Sequence, residues 1–183
     1  MFVKSKAGSF KLALLASIAA AAAGAIAPSF AATTTASATA TVVIPITVTK
    51  SSDLAFGKFA SGATAGTVVI STAGAATRTG GVSSGGGTTT AAAFTISGEK
   101  GAAYTIDTSA STANLTSGSD TMALALITDV ATGAGATTGT VASGVLDGTT
   151  GNQVLRVGGS LTVGINQPAG AYVGTVSVAV LYQ

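Results

Sequence analysis

Apolar and polar residues alternate near the C-terminus, and this pattern limits what that region can form. From Val176 to Tyr182 every second residue has a large apolar side chain. A period of two places one set of side chains on a core and the other in water, which indicates a β-strand. A strand with so regular an inner face pairs either with a neighbour in its own domain or with the strand of a partner.

A second alternating segment lies near the N-terminus. From Ala36 to Thr49 each even position is apolar, and most odd positions carry Ser or Thr. Pro45 interrupts this segment and has no N–H to donate to a ladder, so it marks an edge or a break between two strands. The pattern predicts one or two strands with a single buried face.

The region between these two segments also has the character of short strands. The predicted strands are Leu54–Phe59, Thr67–Ser71, Ala92–Ser97, Ala103–Thr108, Thr121–Thr128, Val154–Val157, Leu161–Ile165 and Ala171–Tyr182. Gly98–Gly101 is typical of a hairpin turn between two of them. The low-complexity stretches Gly80–Thr90 and Ala131–Gly144 are interpreted as mobile loops. Short strands at this spacing predict an all-β, immunoglobulin-like β-sandwich.

The N-terminal region resembles a secretory signal. Lys4, Lys6 and Lys11 form a basic region, an apolar run follows to residue 27, and small residues precede a cleavage site after Ala31. We therefore predict a signal helix over residues 1–31, an N-terminal extension or first strand over residues 32–49, and the sandwich domain over residues 50–183. The signal predicts export through a periplasm to the cell surface or the medium.

The composition argues against catalysis. The chain has no His and no Cys, which removes the usual imidazole base and thiolate nucleophile, and 8% of its residues are charged. After residue 31 there are five basic and six acidic residues, a net charge of −1 that does not favour nucleic acid. We predict that the protein is not an enzyme and uses no cofactor and no metal.

The residues with reactive or ligand-binding side chains have structural interpretations. Asp107, Asp120, Asp129 and Asp147 lie near predicted strand ends, where Asp commonly accepts hydrogen bonds in turns. Neither Asp107 nor Asp120 belongs to the alternating-acid loop that makes a strong calcium site. Tyr104, Tyr172 and Tyr182 are interpreted as packing residues in preference to a sugar-binding face.

The two ends of the predicted mature chain bear a resemblance to a known family. Tyr182 in the penultimate position, the alternating residues before it and Gly170 fourteen from the end are similar to the C-terminal motif of pilins assembled by the chaperone-usher route. The absence of Cys makes the Cys-free alternate branch the closer comparison. Phe56-Gly57, the run from Val157 to Val163 and the run from Gly170 to Gly174 also resemble a family of small secreted bacterial β domains without an assigned function.

The pilin resemblance implies a surface fibre whose subunits each lack one strand of their sandwich. A periplasmic chaperone would cover the gap. At an outer-membrane usher, the N-terminal extension of another subunit would then take the place of the chaperone. The implied donor residues are Ala38, Ala40, Val42 and Ile44, and the implied acceptor and chaperone-contacting residues are Gly170, Val176, Val178, Val180 and Tyr182. The alternative is a self-complete, monomeric secreted domain that binds a surface partner or carbohydrate. The fibre interpretation adds a possible role in adhesion or biofilm.

Overall fold

The computed structural model describes residues 31–130 and 135–183. The chain divides into two units, residues 1–40 and residues 41–183, and all strands described below lie in the second. The predicted signal peptide falls outside the described residues except for Ala31. Residues 32–40 are exposed and belong to neither a helix nor a strand. Within the described ranges, no helix is long and apolar enough for a membrane span.

Twelve strands make up the described part of the second unit, in an order without helices. They are β1 (Thr47–Ser52), β2 (Ala55–Ala60), β3 (Gly66–Ile70), β4 (Ala76–Gly80), β5 (Ser83–Thr90), β6 (Ala92–Ser97), β7 (Ala103–Asp107), β8 (Asn114–Ser117), β9 (Asp120–Asp129), β10 (Ser143–Val145), β11 (Asn152–Val163) and β12 (Ala179–Tyr182).

One layer is a seven-stranded antiparallel sheet built around β11. One edge of β11 pairs with β6 over Asn152–Val157 and then with β3 over Gly159–Val163. Its other edge pairs with β9 over Arg156–Leu161. β1 pairs with β6, β4 with β3 and β8 with β9, so that β1 and β4 are outer strands of this sheet.

Two smaller sheets, β10-β7-β12 and β2-β5, supply the opposing layer. A first core cluster joins β6 and β11 to β7 and β12, and includes Phe94, Tyr104 and Val180. A second cluster joins β3, β9 and β11 to β2, and includes Phe56 and Leu161. Because apolar side chains alternate along each strand, each sheet buries one face, and the prediction of an all-β sandwich is confirmed.

The connection between β6 and β7 differs from the predicted hairpin. β6 belongs to the large sheet and β7 to the sheet β10-β7-β12, so Gly98–Gly101 carries the chain from one layer to the other. Ile96 and Ile106 enter the first core cluster from opposite layers. Two alternating runs separated by a short Gly-containing turn therefore fit a layer crossing as well as a hairpin.

The predicted mobile loop over Gly80–Thr90 is wrong for most of its length. Ser83–Thr90 forms β5 and pairs with β2, with register shifts on both sides of Lys58. Gly57, Gly86 and Gly87 all have positive φ at these irregularities, a conformation that glycine adopts without strain. Of the other predicted loop, residues 131–134 lie outside the described residues, and Ser143–Val145 forms β10.

Candidate functional site

The C-terminal segment is bonded to the rest of the sandwich along one edge. β12 pairs with β7, and Val173 forms reciprocal backbone hydrogen bonds of 2.9 Å with Thr116. Between these points, Thr175 O accepts from Thr112 N–H at 2.9 Å and Ser177 N–H donates to Ser111 Oγ at 2.9 Å. Residues 173–182 therefore run beside one continuous neighbour, but the predicted strand Ala171–Tyr182 is regular only in β12, because side-chain hydrogen bonds replace part of the ladder before Ala179.

The other edge of this segment is open. β12 is an outer strand of its sheet, as β1 is of the large sheet. Among the described residues, no backbone hydrogen bond joins Gly174, Val176 or Val178 to another strand. An open edge is a template for a further strand, because its N–H and C=O groups are already aligned.

An apolar groove lies along this open edge. Its larger part has a volume of about 1060 Å³ and lies between β2 and residues 170–176. Buried Phe56, Met122, Leu124 and Leu161 belong to its lining. A smaller part of about 290 Å³ lies beside Lys50 and Phe94, and it shares Leu54, Gly174 and Val176 with the larger part. The two cavities therefore follow one another along the C-terminal segment.

Charge contributes little to this groove. Lys50 Nζ lies 2.6 Å from Asp53 Oδ1, but both side chains are more than half exposed, and such pairs stabilise weakly. The far rim carries polar groups: Gln167 Nε2 donates to Tyr172 OH at 2.9 Å, and that hydroxyl donates to Pro168 O at 2.9 Å. The groove thus offers an apolar floor with a polar rim.

The structure divides the predicted acceptor residues into two groups. Gly170 and Val176 line the groove. Val180 is buried in the first core cluster, and Val178 and Tyr182 pack against that cluster together with Ile46 and Val48. The alternation predicted from the sequence holds, since the outward-facing Val173 and Leu181 are 67% and 69% exposed.

The predicted donor residues lie outside any strand. Ala38 and Ala40 are exposed and fall in the first unit. In the second unit, Val42 is 96% exposed and Ile44 is 55% exposed. Large exposed apolar side chains next to each other are unusual on a monomer surface and are typical of an interaction segment.

A set of three hydrogen bonds fixes the chain where this segment meets the sandwich. Ile44 N–H donates to Glu99 Oε2 at 3.1 Å, and Glu99 N–H donates to Tyr182 OH at 2.7 Å. The Tyr182 hydroxyl in turn donates to Ile44 O at 2.6 Å. We call Ile44, Glu99 and Tyr182 the clasp.

The acidic residues occupy structural positions. Asp147 caps a turn, where the backbone N–H and hydroxyl of Thr150 and the N–H of Thr149 lower the pKa of its carboxyl. The backbone N–H of Ser109 similarly lowers the pKa of Asp107. Asp129 is buried beside Thr72, and Asp120 begins β9 opposite Ser117. In the described ranges, no three His, Cys, Asp or Glu side chains come together as a metal site would require.

Sequence reasoning missed two parts of this site. The β2 wall was predicted as a strand, but its position against residues 170–176 depends on long-range pairing that no local pattern reveals. Glu99 was assigned to a turn, and its contact with Tyr182 joins residues 83 positions apart.

Comparison with known proteins identifies the family. A model of a domain of unknown function, DUF4402, matches residues 46–182. This range covers the whole sandwich and starts just after the clasp residue Ile44. Neither the characterised proteins nor the solved structures contain a significant match, so the pilin resemblance stays a prediction. The chain belongs to the DUF4402 family, whose members share a domain of unknown function.

Proposed function

We propose that the chain is the structural subunit of a surface fibre, in which the N-terminal extension of one copy fills the groove of the next. The observation that carries this proposal is the apolar groove beside an open strand edge. An extended segment inserted there would add a strand by β-augmentation: backbone bonds provide strength, and alternate side chains fix the register.

The groove and the extension agree in length. Residues 170–176 border the two cavities and would span at most about 23 Å if fully extended, at about 3.3 Å per residue. Residues 36–43, which carry the alternating pattern, span about 26 Å when extended. One extension is therefore long enough to follow the whole open edge of one groove.

The groove and the N-terminal extension are also chemically compatible, because both are largely apolar and uncharged. The inserted residues 36–43 carry no charged group, so their insertion into the apolar groove leaves no charge without water. Ala38, Ala40 and Val42 share one face of the extended segment, and burial of Val42 alone contributes about 1.5–3 kcal/mol. Each new backbone hydrogen bond along Gly174 and Val176 adds about 0.5–1.5 kcal/mol.

Export and assembly complete the proposal. With the predicted signal removed, the subunit reaches the periplasm, where a chaperone covers the groove until an outer-membrane usher brings the next copy or a related subunit. The finished fibre stands on the cell surface and serves adhesion or biofilm formation. The predicted absence of catalysis agrees with this structural role.

A pair of adjacent substitutions tests the proposal. Ala40→Asp places a carboxylate on the inserted face, whereas Thr39→Asp places the same charge on the opposite face one residue away. An unpaired buried charge costs several kcal/mol, so we expect Ala40→Asp to reduce assembly at least a hundredfold and Thr39→Asp to leave it within a few-fold. Light scattering after refolding of the mature chain measures both.

The opposite outcomes contradict the proposal. An intact mature chain that stays a folded monomer, with its own N-terminal strand paired to its C-terminal segment, is incompatible with exchange between molecules. Equal assembly of the Ala40→Asp and Thr39→Asp variants would show that the extension is not inserted as a strand.

The rim of the groove favours a second candidate function. Tyr172 and Gln167 place an aromatic ring and an amide beside an apolar floor, an arrangement suited to a carbohydrate or another small surface ligand. In that case the protein is a self-complete monomer. Saturable binding of a sugar to a monomer, abolished by Tyr172→Ala, would identify it.

A further inference from the structure

We propose that the clasp makes the groove accessible to the extension of a neighbour and denies it to the extension of the same chain. This inference rests on the proposed function, because it concerns which extension enters the groove. It assigns a positioning role to Tyr182 and Glu99, two side chains outside the groove lining.

The clasp connects the open edge of β12 to the chain just before β1, the outer strand of the large sheet. Tyr182 belongs to β12, and Ile44 lies three residues before Thr47, the first residue of β1. The Tyr182 side chain reaches from one to the other and donates to Ile44 O at 2.6 Å, while Glu99 holds the N–H of Ile44. A strand passing between these edges would have to displace the Tyr182 side chain.

The position of the clasp limits what the chain's own extension can reach. The groove lining ends at Val176, six residues before Tyr182, which corresponds to about 20 Å of strand. An extension that turned back at Ile44 would use about six residues, 38–43, to cover that distance. Only residues 32–37 would then enter its own groove, and these include neither Ala38 nor Ala40 nor Val42.

Pro45 also opposes entry of the extension into the groove of its own chain. Proline disfavours the α conformation of the residue before it, so Pro45 keeps Ile44 extended and opposes a reversal of the chain there. Val42, two residues before Ile44, is 96% exposed, so its side chain is not buried against the sandwich. A copy from another molecule has no such restriction and can enter the groove with residues 36–43.

Removal of single hydrogen-bonding groups tests the inference on the mature chain. Tyr182→Phe keeps the ring and removes the hydroxyl, Glu99→Ala removes the carboxylate, and Glu99→Gln keeps an oxygen that can accept from Ile44 N–H. Thr105→Val is a matched control, because it removes a hydroxyl that donates to the backbone of Leu181 away from the groove. Each is combined with Thr39→Cys, on the face opposite the inserted residues, which becomes the only thiol in a chain without Cys.

Two measurements follow refolding: the fraction of chains in assemblies, and the rate at which a thiol reagent modifies the monomer fraction. With the clasp intact we expect assembly and rapid modification of the monomer. In Tyr182→Phe and Glu99→Ala we expect a several-fold smaller assembled fraction and a several-fold slower reaction, because the extension has folded back between the two edges. Glu99→Gln and Thr105→Val should behave like the parent.

The outcomes separate the two proposals. If the parent assembles, and Tyr182→Phe and Glu99→Ala match it in assembly and thiol reactivity, the clasp has no positioning role and the fibre proposal stands. If the parent does not assemble and its monomer thiol is already protected, the extension occupies its own groove and both proposals are overturned.

Discussion

At the scale of single residues, Tyr104 shows how tightly the sandwich is packed around a polar atom. Its side chain is fully buried in the first core cluster, and its hydroxyl has no hydrogen-bond partner among the described residues. Gly144 lies against this hydroxyl, and a Cβ at residue 144 would overlap it. The sequence predicted a packing role for Tyr104, but the choice of glycine opposite it depends on a strand pairing between β7 and β10.

The buried hydroxyl predicts an unusual response to substitution. Tyr104→Phe removes a polar group that has lost its water and gained no partner, so we expect the free energy of unfolding to stay equal or to rise by about 1 kcal/mol. Tyr182→Phe removes a hydroxyl that makes two hydrogen bonds, and we expect it to lower that free energy by about 1 kcal/mol. Urea unfolding measures both, and a large destabilisation by Tyr104→Phe would contradict the packing described.

Tyr104 also predicts a loss of stability in alkali. Burial raises the pKa of its hydroxyl above the ordinary value of 10.0, so the folded state keeps the proton longer than the unfolded state does. The free energy of unfolding is therefore unaffected by this group below about pH 10 and falls as the pH rises above it. Urea unfolding at increasing pH should show this fall in the parent and a smaller one in Tyr104→Phe. If the free energy of unfolding fell equally with pH in the parent and in Tyr104→Phe, the loss of stability in alkali would not come from Tyr104.

At the scale of elements, the sequence predicted strands that carry large alternating apolar side chains. It did not predict strands that lack such a period and form only through pairing with a neighbour. β6 agrees with its predicted bounds, and the alternation of the C-terminal segment is confirmed. β5 has no apolar period because Ser83–Gly87 carries only small residues, and it becomes a strand through pairing with β2. The hydrophobic pattern of a single sequence contains no signal for such a strand.

β11 illustrates the same limit in its centre. Gly158 and Gly159 separated two predicted strands, yet the structure has one strand from Asn152 to Val163. A Cβ at Gly158 would overlap Ile70 O and approach the backbone of Ser71, so glycine here permits close contact with the end of β3. In a sequence, such a glycine is easily mistaken for a strand break.

This contact predicts a large cost for a small substitution. Gly158→Ala forces β3 and β11 apart, and we expect it to lower the free energy of unfolding by about 1–3 kcal/mol. Gly148→Ala is the control, because a Cβ at residue 148 meets open space. Urea unfolding of the two variants should separate them clearly. Equal stability of the two variants would show that β3 and β11 are less closely packed at Gly158 than described.

At the scale of the whole molecule, the groove arises from parts of the chain that are far apart in sequence. Gly170 and Val176 of the C-terminal wall were predicted from the sequence, and an extension with one apolar face stays a prediction. The wall from β2 and the clasp were not predicted, because they depend on how the two layers meet. The sandwich, the open edge and the exposed extension together support assembly by strand exchange as the proposed function.

The most direct test uses two variants that each lack one half of the exchange. An acceptor variant lacks residues 32–43, and a donor variant carries Val176→Arg, which places a charged side chain in the groove. Refolded separately, each should give a folded monomer by circular dichroism and light scattering. Refolded together, they should give a one-to-one complex with the summed mass of both chains. A mixture that stays at the mass of single chains, or a donor variant that still assembles alone, would contradict the account.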